Sequence, residues 1–157
     1  MHKSKTFLAS LLFASALTGM NAQAADMEEL IEARQGVMTL YGINMDILGD
    51  MIRSNRPYDK KLAQESADNL LALANMKNGM LWPRGSSIAD PGMQGKTSAK
   101  PEIWQNMGDV SARHQDLTKA LEVLAKNAAW SVDALEENIA DVNSACKGCH
   151  KKYRSKK

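Results

Sequence analysis

Apolar residues recur at intervals of three and four along four long stretches of this chain, and each stretch ends at proline, glycine or a polar turn. That spacing lines one side of an α-helix, whereas strands alternate in twos. The first stretch covers residues 26–55, with Leu30, Arg34, Val37, Tyr41, Met45, Leu48 and Ile52 on one face and Pro57 closing it. Asp26, Glu28 and Glu29 favour its start electrostatically, and Gly36, Gly42 and Gly49 weaken it, so packing must hold it. The second covers residues 58–81, with Leu62, Leu70, Leu73, Ala74 and Met80 or Leu81 inward, and Pro83 stops it. The third opens at Pro101-Glu102 and presents Trp104, Met107, Val110, His114, Leu117, Leu121 and Leu124. Residues 127–131 break it, and Ser131 caps the fourth, whose stripe is Leu135, Ile139, Val142, Cys146, Cys149 and Tyr153. Few aromatic and β-branched residues and many Ala, Leu, Met, Lys and Glu agree with helices throughout. The expected fold is all-α: an antiparallel four-helix bundle with short turns and one long irregular connection, residues 83–101.

The bundle does not need the first 24 residues. Lys3 and Lys5 precede an apolar run from Phe7 to Leu17, then the small residues of Ala22-Gln23-Ala24. This is the order of a cleaved secretory signal, and the run is too short for a spanning helix. The expected division is a signal peptide at residues 1–24 and one bundle domain at 25–157, exported to the periplasm, with no membrane span in the mature chain. Of 20 basic residues the leader holds two, so the mature balance is 18 against 18 acidic residues, which argues against nucleic acid as a partner. The charge is uneven: Lys147, Lys151, Lys152, Arg154, Lys156 and Lys157 crowd an end that has no acidic residue.

The only two cysteines lie three apart in Cys146-Lys147-Gly148-Cys149-His150. CxxCH is the attachment pattern of haem c. At about 100° per residue, Cys146, Cys149 and His150 share a roughly 100° arc of one helical face. Two thiols can add to porphyrin vinyl groups while the adjacent imidazole reaches the iron. Gly148 is expected to leave room for the macrocycle edge. Two other readings fit less well. A thioredoxin-like pair needs a helix N-terminus and a βαβ setting, and this pair ends a helix. A zinc site would need His114 as fourth ligand, at a spacing that nothing supports; His114 fits better as a half-buried bundle residue.

With CxxCH at its C-terminal end, the chain resembles the class II c-type cytochromes, the cytochrome c′ family, over essentially the whole mature sequence. Residues 34–38 (Arg-Gln-Gly-Val-Met), 57–59 (Pro-Tyr-Asp), 101–104 (Pro-Glu-Ile-Trp) and 146–154 carry the resemblance. It implies one covalent haem c, with Arg34 and Gln35 at positions that contact the haem, an arginine fork suiting a propionate; the plain alternative for Arg34 is a solvated helix residue. It places Met38 on the far side of the iron from His150. High-spin members keep that side open behind a bulky apolar residue, and low-spin relatives ligate the iron with a methionine there. Met38 permits both. Arg154, one turn beyond His150, matches an arginine beside the proximal ligand, or simply favours a helix C-terminus. The long loop would lie at the haem edge, with Thr97 or Ser98 near a propionate.

Two functions follow. A Met/His-ligated haem suits an electron carrier, whose basic C-terminal surface would steer an acidic redox partner, unless that surface is only a solvated helix end. An open iron would bind NO or CO, for gas buffering or sensing. An enzyme is not indicated, since no paired carboxylates or nucleophile–base arrangement stands out. Apolar surface left on the first two helices, with the family's habit, implies a homodimer.

Overall fold

The structure, a computed structural model, describes residues 18–156, with side chains from Met27 onward. Five helices follow in order: α1 Thr18–Ile52, α2 Lys60–Asn75, α3 Glu102–Gln105, α4 Met107–Asn127 and α5 Val132–Tyr153. Four of them, α1, α2, α4 and α5, pack as a ring in which each touches the next, and α1 against α5 is the loosest seam. The expected antiparallel four-helix bundle is the fold. No described helix is long and apolar enough to cross a membrane.

Local chemistry explains the ends. α1 leaves its axis at Ser54, which takes a left-handed φ of 60°, and Ser54 and Asn55 donate to the carbonyls of Met51 and Asp50. This is a Schellman closure, completed three residues before Pro57. Asp59 caps α2 by accepting from the backbone of Lys61 and Leu62, while Tyr58 donates its hydroxyl to the Ala128 carbonyl across the bundle. Ser131 caps α5 through the Ala134 N–H, as its position predicts.

Three boundaries differ from the periodicity. α1 begins at Thr18, so Asp26, Glu28 and Glu29 lie inside the helix rather than at its start; residues 1–17 of the expected leader lie outside the described residues. α2 ends at Asn75, not near Leu81, because Met76 is extended; Gly79–Leu81 is a separate 3₁₀ turn and Met80 is exposed. The third helix is broken at Asn106, which has φ −131° and ψ 43°. Its side-chain amide donates to the Glu102 carbonyl, an alternative to the helical ladder that Asn offers readily. Ile103 is buried on α3, whereas Met107 and His114 are exposed. Both lie on the flank of the Leu117–Leu121–Leu124 stripe, about 60–80° from Leu117.

The main core runs the length of the bundle. Leu48, Leu70, Leu121, Leu124, Leu135 and Val142 are fully buried, each worth about 1.5–3 kcal/mol of transfer free energy. A second, smaller cluster of Ala99, Ile103 and Tyr153, with Trp82, Trp104, Val110 and Cys149 against it, closes the end where α5 terminates. The long connection folds over this end through left-handed turns at Gly85, Gly92 and Gly95.

Candidate haem site

Cys146 and Cys149 stand one turn apart on α5, both half-buried and both unbridged. They face different neighbours. Cys146 packs against the main core, and Cys149 against the tryptophan-lined cluster. Burial pushes the Cys146 thiol up, with the Cys149 charge adding to it. Burial also raises Cys149, opposed by the Arg113 charge and assisted by Asp109. Both therefore sit as neutral thiols, the reverse of the low-pKa cysteine that disulfide exchange requires. His150, exposed on the outer side of α5, is shifted the other way: partial desolvation of its ring, then the charge of Arg154, lowers its pKa and favours the neutral imidazole that ligates metals. His114 is not gathered with them; among the described residues no group of three His, Cys, Asp or Glu side chains could hold a metal ion.

Across the loose seam, α1 presents Arg34, Met38 and Tyr41 on one stripe. Tyr41 is half-buried and its pKa is pushed up to about 12, by burial and by the charge of Cys146. Met38 is 44% exposed, although Arg34 (3%) and Leu48 (0%) on the same side of the helix are buried.

Arg34 has a role that its place in the sequence does not announce. Its Nη1 donates to Ser86 Oγ at 2.7 Å and to the Leu81 carbonyl at 3.4 Å. Its Nη2 donates to the Ser86 carbonyl at 2.7 Å and to Thr97 Oγ1 at 2.6 Å. The guanidinium also lies 4.8 Å from the Trp82 ring centre. Four of its five N–H groups thus hold the 81–97 segment onto α1, and among the described residues Nε–H is the donor that remains. Gln35 does likewise, giving Nε2 to the Lys96 carbonyl at 2.6 Å. Arg34 is a buried loop clasp, not a solvated residue. Thr97 is buried and spends its hydroxyl oxygen on Arg34 and on the Ala99 N–H.

The loop is also stitched to the end of α5. Ala99 and Arg154 form an isolated antiparallel bridge, in which Lys100 N donates to the Tyr153 carbonyl and Ser155 N to the Ser98 carbonyl. Trp104 donates its indole N–H to the Trp82 carbonyl. Gly148 does not face this side: a Cβ there would meet Arg113 Nη1 of α4 at 3.3 Å, so the glycine accommodates α4 rather than the macrocycle. Counting about 100° per residue places Gly148 opposite the Cys–Cys–His arc. Sequence reading also missed Asp109, whose Oδ2 accepts from Tyr153 Oη (2.5 Å), Arg113 Nε (2.8 Å) and Lys152 Nζ (3.0 Å). Those donors hold its carboxyl well below the usual carboxylate range. The only sequence signal was an i,i+4 Asp–Arg pair on α4.

Two neutral thiols one turn apart, a neutral imidazole beside them and an aromatic cluster beneath suit a covalently held porphyrin. The Cytochrome C′ family profile matches residues 29–154. The chain belongs to the cytochrome c′ family. Members of this family are standing examples of the up-down-up-down bundle. Cytochrome c-554 of Cereibacter sphaeroides is 32% identical over 133 residues, covering 85% of this chain and 98% of its own. Among solved structures, the Rhodobacter spheroides cytochrome c′ superposes with a TM-score of 0.79 at 29% identity, over 83% of this chain and 98% of its own. A second cytochrome c′, described by its ligand-controlled dimer dissociation, is 33% identical with a TM-score of 0.72, over 83% and 97%. This chain is a haem protein with one covalently attached haem c, on a helical bundle, and the family's range is electron transfer or gas binding.

Proposed function

We propose that this chain is an exported periplasmic electron carrier. In this reading Cys146 and Cys149 hold the haem by two thioether bonds, His150 ligates the iron from α5, and Met38 approaches it from α1. The observation that carries the reading is Met38, a thioether on the inward stripe of α1 that stays 44% exposed between buried Arg34 and half-buried Tyr41. When bound, the haem would supply a one-electron couple, and His150 and Met38 as its protein ligands would raise the potential of that couple. The chain's own residues keep the surroundings still. Arg34 and Gln35 tie the loop to α1, and Asp109 ties α4 to the last turn of α5, so little moves when the charge changes. Partial desolvation and the charge of Arg154 lower the His150 pKa, which favours the neutral form that ligates. Arg34 Nε and Ser98 are the polar groups left for a propionate. An acidic periplasmic redox protein is the expected partner, and no substrate turnover is assigned.

Gas binding is the second reading, and the same exposure supports it: a methionine not locked into the core can swing aside for NO or CO. The ligand-controlled relative is in keeping with it. An absorption spectrum of protein expressed with a cytochrome maturation system, oxidised and reduced, decides between them. Low-spin bands in both states support the carrier; a high-spin reduced form that takes up CO supports the gas binder.

Assembly as a homodimer belongs to this proposal. Gly36, Leu40 and Ile43 lie along the side of α1 away from the thiols, with Leu40 49% and Ile43 52% exposed. An exposed stripe with a glycine lets two such helices approach closely. Cleavage after Ala24 would remove the first turns of α1 and leave Asp26, Glu28 and Glu29 at its new start, where acids are favourable.

A further inference from the structure

Lys147 and Lys151 recur at i and i+4 on one side of the last turns of α5, Arg154 follows at i+7 as the helix C-cap, and all three are exposed. Lys156 continues the row past the helix end. None of the four has a carboxylate within ion-pairing distance among the described residues. The basic groups on the other side of the helix are different. Asp109 takes both Arg113 and Lys152, which confines the uncompensated charge to the Lys147 side. The nearest acids on the row's own side are Glu136 and Asp133, about three turns back along the helix. The row runs beside Cys146 and His150, and Arg154 lies one helical turn beyond His150, its backbone N–H donating to the His150 carbonyl at 3.0 Å. None of the exposed large apolar residues lies on these turns, so the row is charged without an apolar anchor. A helix that lies in a membrane surface needs such an anchor, whereas a transient electron-transfer encounter needs charge close to the cofactor.

We infer that the Lys147–Lys151–Arg154 row is the docking surface for an acidic redox protein, which it places against the thioether edge of the haem. The inference rests on the carrier reading, and it narrows the basic C-terminal end to the one row that Asp109 leaves uncompensated.

Flavodoxin, a small acidic flavoprotein, is the probe, and lumiflavin, the same ring system without a charged protein, is its control. Flavodoxin hydroquinone gives one electron to the ferric haem, leaving a semiquinone and a ferrous haem. For the wild type, the second-order rate should fall steeply as ionic strength rises. Lys147→Glu with Lys151→Glu should slow it by about tenfold or more at low salt, the two proteins converging at high salt. Lys60→Glu with Lys126→Glu makes the same charge change at the opposite end of the bundle and should stay within about twofold. The milder Lys147→Gln with Lys151→Gln should fall between. Lumiflavin semiquinone should reduce every variant equally, which also shows that each is folded around its haem. Binding of oxidised flavodoxin, followed by fluorescence anisotropy, should be lost in the same order. Equal losses in the row and in the far-end control overturn the inference. So does binding to vesicles one-third phosphatidylserine that depends on the row while flavodoxin does not discriminate. Failure of lumiflavin to reduce the wild type overturns the carrier reading instead, and the anisotropy still judges the surface.

Discussion

Replacing Arg34 by alanine should open the loop that covers the tryptophan end of the bundle. The cost can be apportioned from its four hydrogen bonds. Ser86 Oγ keeps a partner, because it also donates to the Pro83 carbonyl, and Thr97 Oγ1 keeps the Ala99 N–H. The Leu81 carbonyl, at 3.4 Å, loses little. The Ser86 carbonyl loses its 2.7 Å donor inside the protein, which costs about 1–3 kcal/mol. Losing the stacking on Trp82 adds about 0.5–2 kcal/mol. A total of about 3 kcal/mol corresponds to roughly a hundredfold rise in the open population of the loop. Trypsin reads this directly, because Arg84 and Lys96 lie in the loop and are exposed. Cleavage there should accelerate by about two orders of magnitude in Arg34→Ala, and by less in Arg34→Lys, which keeps the charge but not the fork. Unchanged cleavage of the alanine variant, with a urea midpoint at the wild-type value, would refute the clasp.

Four further outcomes are expected. Cys146→Ser with Cys149→Ser should abolish covalent haem staining after denaturing electrophoresis, and staining that persists would place the attachment elsewhere. Met38→Ala should turn a low-spin spectrum high-spin; an unchanged spectrum would mean that Met38 does not ligate. Asp109 has a folded pKa below its unfolded value of about 3.9, so its bonds to Tyr153, Arg113 and Lys152 stabilise above that value and are lost as pH falls toward the folded one. Wild type should therefore outlast Asp109→Asn near neutrality, with a margin that shrinks in acid below about pH 4; urea midpoints across the acid range check this, and a constant margin counts against it. Ile43→Lys, on the exposed stripe of α1, should sediment as a monomer where wild type is a dimer.

The helical stripes and the CxxCH were legible because each is a local pattern: a period of three to four residues, or two attaching thiols and one ligating imidazole on one turn. Leu48, Leu70, Leu121, Leu124, Leu135 and Val142 are all fully buried, as their periodicity predicts, and Cys146 and Cys149 continue the α5 stripe half-buried against the two clusters. Failures came where a local rule met a competing local bond or a distant partner. The side-chain amide of Asn106 interrupts α3 before α4, and Met76 turns extended before the apolar pattern of α2 runs out.

What the amino-acid order determined by itself, then, was the four-helix plan of the bundle, most of the inward faces and the placing of two sulfurs and an imidazole on the last turns of α5, since all of these depend on neighbours within a turn or two. Only the tertiary structure decided the rest. It turned Arg34 inward onto a loop 47 to 63 residues away, set Asp109 against Tyr153 44 residues on, and faced Gly148 toward α4. Those contacts join groups far apart in the chain, and their partners are named only once the helices have packed.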